Sequence, residues 1–503
     1  MANGKQRVTD IITNKDMARW TPKDIVIISA GTGTGKSYFV KNSLYQYAKD
    51  TGKKILFLIH RSNCVSQFKC EIERDGKQNV IDIITYQKIE HDILNYNKHI
   101  NYKQYAYIVC DEFHYFISDA NFNNTTDISF KEILNQPKCI KIFMSATGED
   151  VEKYLSNNYR RRIRKYYLEP NYEHVSGLTF FSQDEDIEHL SEMVIKANKK
   201  AIIFIRSAEK AYKLFRNFSK YSLFNCSKNN KHYKDINKEK INTMLKNERF
   251  EENLLITTSC LDAGTNIIDR DVKYIIADIT DIGSLIQCLG RKRHIDSTDT
   301  VHFYIKTINN QRLSGLKQSM CKDIEMAEYL LQYGTQELIL KYPRQVDKSR
   351  IIYDYTKPNQ QKNMSTKKVN DMMLAKKRTD IRLYDNLMKT EYGYCKYLAK
   401  YLGFMDDKGN YTYSTFSKDH SLTAFLQKYV ENDIVMLQVK DRKPIIEKLN
   451  VRSEKRRQLK KCPVLNETLK EMEIPFRIKE YKTSKIINGK KKNFSAAWKI
   501  IEV

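Results

Sequence analysis

The chain has 503 residues, enough for about three domains at roughly 150 residues each, so a short disulfide-stapled module is excluded. Its residues are 41% hydrophobic and 29% charged with 17 Gly and 8 Pro, too apolar for a disordered chain and too poor in Gly and Pro for a fibrous one. The 87 Lys and Arg against 61 Asp and Glu leave +26, an excess that suits a polyanionic partner, nucleic acid ahead of an anionic membrane.

No stretch approaches the roughly 18 uninterrupted apolar residues of a membrane helix, and the opening MANGKQRVTD has no apolar run of signal type. A cytoplasmic protein with no membrane partner is expected. The 10 cysteines include no CxxC pair and read as reduced, mostly buried thiols. Heavy use of Lys, Asn, Ile and Tyr indicates AT-rich codons, and composition suits a replication protein of a phage or mobile element.

From residue 24 to 310, short β-branched runs alternate with longer amphipathic stretches, which predicts parallel sheets covered by helices. Strands are expected at Asp24–Ser29, Lys54–Ile59, Val80–Thr85, Tyr105–Cys110 and Lys141–Met144, then at Ala201–Ile205, Asn253–Thr257 and Lys273–Ala277. These make two α/β blocks, with Asn157–Ser176 and its Tyr-Arg-Arg-Arg-Ile-Arg run as the linker. Domains are expected at 1–165, 172–310 and 311–503.

Beyond residue 311 helical patterns dominate, as at Cys321–Tyr333, Val369–Leu387 and Leu422–Val430. This tail carries 40 Lys and Arg against 23 Asp and Glu, or +17, leaving +9 for residues 1–310. At its end a helix over Leu465–Met472 precedes Phe476–Ser484 and Lys491–Ile501, which flank Asn488-Gly489, a type I′ hairpin signal. That pattern fits either a winged-helix-like DNA module or a solvated hairpin that closes the fold.

The strongest local signal is Ala30-Gly31-Thr32-Gly33-Thr34-Gly35-Lys36-Ser37, after the apolar Ile25–Ile28 and before the helical Tyr38–Tyr45. In this strand, loop and helix order, glycines let backbone N–H groups turn around phosphate oxygens. Lys36 then reaches the β- and γ-phosphates, and the Ser37 hydroxyl ligates Mg²⁺ at the helix N-terminus. The second signal is Asp111-Glu112-Phe113-His114, which ends an apolar strand with paired carboxylates. Asp111 is placed to hold the Mg²⁺ water shell and Glu112 to orient and deprotonate the attacking water.

These residues resemble the superfamily 2 helicases of the DExH type, and the resemblance continues in the family's order over about 290 residues. The loop at 30–37 is similar to motif I and Asp111–His114 to motif II. Arg61 and Gln67 resemble motif Ia, Thr85-Tyr86-Gln87 motif Ib, and Ser145-Ala146-Thr147 motif III. In the second block, Phe204 to Ser207, including Arg206, is similar to motif IV, and Thr258–Ile267, including Gly264 and Asn266, to motif V. Gln287 to Arg293 resembles the QxxGRxxR of motif VI, with one departure. The family's second arginine lies seven residues after the glutamine, where this chain has His294, so Arg293 either takes the finger role from a shifted turn or leaves it to Arg291.

The resemblance implies an α/β fold of two tandem RecA-like parallel-sheet domains, followed here by a mostly helical basic domain with a terminal β-hairpin. It implies an ATP-dependent, Mg²⁺-using helicase or translocase. In that scheme Lys36, Asp111, Glu112, His114, Gln287, Arg291 and Arg293 serve hydrolysis, and the 30–37 loop with Gly264 and Asn266 serves nucleotide binding. Arg61, Thr85, Arg206 and Thr258 would contact the nucleic-acid backbone, while Ser145 and Thr147 couple hydrolysis to it. DNA is favoured and RNA left open, because backbone contacts carry no base code. Replication or nuclease partner proteins fit the same reading. The competing reading is a non-motor DNA-binding protein of an origin or replication complex that uses ATP as a switch.

Overall fold

The computed structural model describes residues 6–31, 33–60, 62–95, 100–118, 123–228, 230–258, 266–343, 345, 349, 351–356, 365–416, 422–449, 451, 458–471, 474–487 and 490–502. Thr32, Arg61 and Gly264, named above, lie outside them, and the side chain of Gln67 is not described. The chain forms two compact units, residues 1–415 and 416–503.

In the first unit, six strands follow in chain order: β1 (Asp24–Ala30), β2 (Lys54–Ile59), β3 (Ile81–Thr85), β4 (Tyr105–Asp111), β5 (Ile140–Ser145) and β6 (Arg162–Leu168). They form one parallel sheet in the order β3-β2-β4-β5-β1-β6. Strand side chains alternate between faces, and both faces here are covered, so the strands are apolar almost throughout. Val26 and Ile28 of β1 enter one core cluster with Phe57 and Val109, while Ile25 and Ile27 enter the other with Leu56 and Ile108.

A second sheet holds β7 (Val175–Phe181), β8 (Lys200–Ile205), β9 (Ser222–Asn225), β10 (Leu254–Thr257), β11 (Val272–Asp278) and β12 (Val301–Lys306). These strands pair in parallel in the order β7-β12-β11-β8-β10-β9. Two tandem parallel α/β sheets are thus present, as the RecA-like expectation requires. The linker at Asn157–Ser176 is corrected: its Arg-rich run is β6, which pairs with β1 from Asp24↔Arg162 to Ala30↔Leu168. Asp24 holds it there, accepting from Arg162 Nε at 2.7 Å and from Arg164 Nε at 2.7 Å. The run looked like a solvated connector because its acidic partner lies 138 residues away.

After the second sheet, helix Asn310–Lys341 breaks its helical geometry at Gly334 (φ 84°). The hairpin β13 (Ile352–Thr356) and β14 (Ser365–Val369) follows, then helices Asp371–Met388 and Gly393–Tyr401. A short strand β15 (Ser414–Phe416) sits beside β7 at the edge of the second sheet. Among the described residues no helix is long and apolar enough to cross a membrane.

The second unit contains helix Leu422–Glu431, β16 (Val435–Met436), helices Val439–Leu449 and Cys462–Glu471, β17 (Phe476–Ile487) and β18 (Lys490–Glu502). Its antiparallel sheet has the order β16-β18-β17. Leu426, Ile445, Leu465, Leu469, Phe476, Ile478 and Trp498 close a separate core between helices and sheet. Six of the eight cysteines whose environment is described are buried, and all eight are free thiols.

Candidate active site

Sheet order decides which loops meet. Strands β4, β5 and β1 are neighbours, so the residues after their C-terminal ends converge on one edge, where parallel α/β sheets bind ligands. Those residues are Asp111-Glu112, Ser145-Ala146-Thr147 and the glycine-rich loop. In that loop Gly33 (φ 83°) and Gly35 (φ 87°) occupy the left-handed region that a side chain would strain. Thr34 Oγ1 donates to the Gly31 carbonyl at 2.7 Å, tightening the turn. The buried Lys36 ammonium donates to the Ala30 and Gly31 carbonyls at 2.8 and 3.0 Å. Burial lowers its pKa, against the pull of Glu112 and Asp111 and with the push of Arg293 and Arg291. Ser37 stands beside it in the first turn of the helix.

Asp111 closes β4, and Glu112 follows with a positive φ of 49°, a strained turn of the kind that functional sites retain. Burial, then the adjacent Glu112, pushes the Asp111 carboxyl up to about 7. Burial also works to raise Glu112, but the hydrogen bond from His114 and the charges of His114, Lys36 and Arg291 outweigh it and hold Glu112 below the usual carboxylate range. Neighbouring acids driven apart in this way take different tasks. Glu112 stays ionised and able to orient a water, whereas Asp111 is a buried carboxyl whose burial and acidic neighbour outweigh the charges of Lys36 and His114. A divalent cation adds positive charge there, so Asp111 and the Ser37 hydroxyl fit Mg²⁺ as donors.

From Glu112 a polar path leads into the second sheet's domain. His114 Nδ1 lies 3.2 Å from Glu112 Oε2 and 2.9 Å from Ser145 Oγ. Ser145 Oγ accepts from the Thr147 backbone N–H at 3.0 Å, and Thr147 Oγ1 accepts from Gln287 Nε2 at 3.1 Å. Gln287 rides on helix Ile282–Leu289, whose N-terminus Asp281 caps by accepting from Ser284 N at 2.8 Å.

The departure in the arginine spacing has a structural reason. After that helix the chain runs alongside Ile267, whose N–H donates to the Arg291 carbonyl and whose carbonyl accepts from the Arg293 N–H, both at 2.9 Å. Extended backbone alternates its side chains with a period of two, so Arg291 and Arg293 share a side and Lys292 faces the other. Lys292 is buried against Asp299 at 2.5 Å. Arg293 reaches the phosphate loop: its Nη1 lies 3.5 Å from where a Cβ on Gly33 would stand, and its Nε donates to Asn266 Oδ1 at 2.8 Å. Burial and the neighbouring Arg291 lower Arg293 to about 10. Arg291 is buried and close enough to act on Glu112 and Lys36. His294 instead stacks on His174, rings 4.5 Å apart.

The other sequence-derived residues lie at strand ends away from this cluster. Thr85 ends β3 and caps the next helix, accepting from Lys88 N at 3.1 Å. Arg206 follows β8 and donates to Thr280 Oγ1 at 3.1 Å, and Thr258 follows β10. All three stand at or directly after the C-terminal ends of parallel strands. Trp20 is buried and donates from Nε1 to Tyr166 OH at 3.1 Å. Two participants escaped the sequence reading. A Cβ on Gly148 would collide with the buried Phe113 ring, so this glycine lets the loop after β5 close on the Asp111–His114 segment. Its position directly after Ser145-Ala146-Thr147 was the available signal. Asp281 carried none, since capping depends on where the helix starts.

Residues 70–150, which include Asp111–His114 and Ser145–Thr147, match the family model described as type III restriction enzyme, res subunit. This segment is of the superfamily 2 helicase type. None of the curated proteins matches the chain in sequence. Among solved structures, a variant of S. cerevisiae Dbp5 bound to RNA and ADP BeF3 is similar at 14% identity and a TM-score of 0.42, over 58% of this chain and 82% of that one. The DEAD-box helicase Mss116 bound to ssRNA and UDP-BeF shows 14% identity and 0.42, over 66% and 84%. Mss116p lacking its NTE and C-tail, bound to ssRNA and AMP-PNP, shows 15% and 0.43, over 69% and 89%.

Proposed function

We propose that the chain is an ATP-driven nucleic-acid motor, a helicase or translocase, and that its track is DNA. The observation that carries this reading is the polar path from Glu112 through His114, Ser145 and Thr147 to Gln287. A site that only stored ATP would need the phosphate cradle. A site whose attacking-water base is wired to the opposite sheet can exchange hydrolysis for domain movement.

In this reading the N–H groups of the 30–37 loop and the Lys36 ammonium, released from the Ala30 and Gly31 carbonyls, bind the ATP phosphates. Mg²⁺, held through Ser37 and Asp111, would neutralise developing phosphate charge. Glu112 orients the water and accepts its proton, and Arg291 and Arg293 offset charge on the transferred phosphoryl group. Asn266 positions Arg293. Loss of the γ-phosphate removes what draws the arginines inward, and Gln287 passes that change to Thr147 and His114. Thr85, Arg206 and Thr258, with Arg61 and Gly264 in their sequence-derived roles, complete the track and the nucleotide pocket. In this reading the work is divided between a first domain, expected at 1–165 and carried on to the end of β6 at Leu168, and a second at 172–310, with 311–503 as the accessory part.

ATP turnover by wild type and Glu112→Gln, with no polymer, single-stranded DNA, duplex DNA or single-stranded RNA, tests the proposal. Stimulation by DNA that falls by about a hundredfold or more in Glu112→Gln supports it. Stimulation by RNA alone assigns an RNA track, and tight ATP binding without turnover on any polymer refutes the motor in favour of an ATP switch.

A further inference from the structure

Strands β17 and β18 run 12 and 13 residues, longer than their core requires. Phe476, Ile478, Trp498 and Ile500 seat the base of the hairpin among the unit's helices. Past the register shift between Tyr481 and Thr483 the ladder continues for five more pairs, from Thr483↔Phe494 to Ile487↔Lys490. Lys482, Ser484, Lys485, Ile486, Lys491, Lys492 and Asn493 are exposed there. At about 3.4 Å per residue, this free end extends roughly 15–20 Å beyond the packed base.

Its chemistry is one-sided. The free end, residues 482–494, contains five lysines, no acid and a single aromatic side chain, Phe494. The register sets Lys485 directly opposite Lys492, a like-charge pair that destabilises an isolated hairpin. A bound anion between or beside them removes that repulsion. The tip also exposes Ile486 at 72%, next to these charges. By contrast, helix Cys462–Glu471 turns Cys462, Leu465 and Leu469 into the core and leaves Glu467, Lys470 and Glu471 outside. Two acids on that outer face oppose a phosphate backbone, so the helix is the poorer candidate for contact.

We propose that the free end of this hairpin, and not the helix before it, is a docking site for duplex DNA. A two-stranded ribbon fits the roughly 12 Å major groove of B-DNA, whereas the major groove of A-form RNA is too narrow for it. Single strands are held by bases stacked on open aromatic rings, whereas the one ring of this free end, Phe494, is only partly exposed and has the Lys492 ammonium 6.0 Å from its centroid. The lysines meet phosphates on the groove walls, and Ile486 lies against base edges or sugar. This site stands independently of the motor reading, because it belongs to a unit with its own core.

The test uses the full chain without nucleotide, a fluorescent DNA duplex, and salt from about 50 to about 200 mM. Lys485→Ala, Lys491→Ala and Lys492→Ala are combined in one variant. The slope of log affinity against log salt is expected to fall by about 2 to 3, at about 0.9 for each phosphate no longer neutralised, with at least tenfold weaker duplex binding at low salt. Affinity for single-stranded DNA and the turnover it stimulates stay within about twofold. The matching Lys→Arg variant restores duplex binding, which separates missing charge from misfolding. An unchanged duplex affinity and slope overturns the proposal, as does an equal loss on single-stranded DNA or on duplex RNA. Turnover with single-stranded DNA reports on the motor separately, so failure of either idea is recognised by itself.

Discussion

Gln287 and Thr147 are 140 residues apart in sequence and 3.1 Å apart in the fold. Their bond joins the two halves of the path, so it is where coupling is most directly measured. Thr147→Val keeps the shape and removes the acceptor, while Gln287→Ala removes the donor. A double-mutant cycle on polymer-stimulated turnover is expected to give a coupling of about 1–3 kcal/mol, with ATP affinity shifted by less than about threefold. Additive losses would show the two side chains acting independently. At this scale the sequence was highly legible: the phosphate loop and the acid pair are contiguous runs whose chemistry follows from their own order. What local order could not reveal was how Arg293 comes to face the phosphate loop while His294 turns away to His174. That depends on Ile267 turning the segment into an extended one with Lys292 buried behind it.

Among the elements, β6 shows why charge-rich runs mislead. Arg162 and Arg164 are two apart and so reach the same carboxylate, the buried Asp24. Burial works to raise Asp24, but the two guanidinium groups and the Thr21 N–H outweigh it and hold the pKa at about 2. A carboxylate with a depressed folded pKa contributes stability that is present above its unfolded value, near 3.9, and is lost as pH falls toward the folded value. Water around the half-exposed Arg162 screens part of this, leaving roughly 1–2 kcal/mol. Urea unfolding is therefore expected to separate wild type from Asp24→Asn at pH 7 and to bring them together between about pH 4 and pH 2. A gap that persists at the acid end would mean that packing, and not charge, anchors β6. Strands β7, β9 and β12 were also missed. The terminal hairpin was legible because Asn488-Gly489, which lies outside the described residues, is a turn signal in the sequence itself, although the strands run longer than expected.

Over the whole first unit, helix Asp371–Met388 touches the domains of both sheets and the helix before it. Its cap residue Asn370 donates to the Asn124 carbonyl at 2.9 Å and to Thr126 Oγ1 at 3.0 Å, and Met372 enters the core of the first sheet. Further along, Lys376 pairs with Asp281 at 3.2 Å and Asp380 at 3.0 Å, while Lys377 pairs with Asp323 on helix Asn310–Lys341. Asp281 caps the helix that carries Gln287 and leads to Arg291 and Arg293. Burial tends to raise Asp281, yet Lys376 and the bonds from Ser284 bring it down to about 2, whereas burial keeps Asp380 above the usual carboxylate range against the pull of the same ammonium. Helix Asp371–Met388 thus braces the Gln287-bearing helix against the domain of the first sheet. Lys376→Met removes the cation and keeps the stem, leaving Asp281 and Asp380 to repel each other. Polymer-stimulated turnover is expected to fall about tenfold, equivalent to about 1.4 kcal/mol, with basal turnover within about twofold. Lys377→Ala, which breaks a pair confined to the accessory helices, is the control expected to leave stimulation intact. If both variants lose stimulation equally, the helix acts through general stability; if neither does, the two sheets find their closed arrangement without this brace.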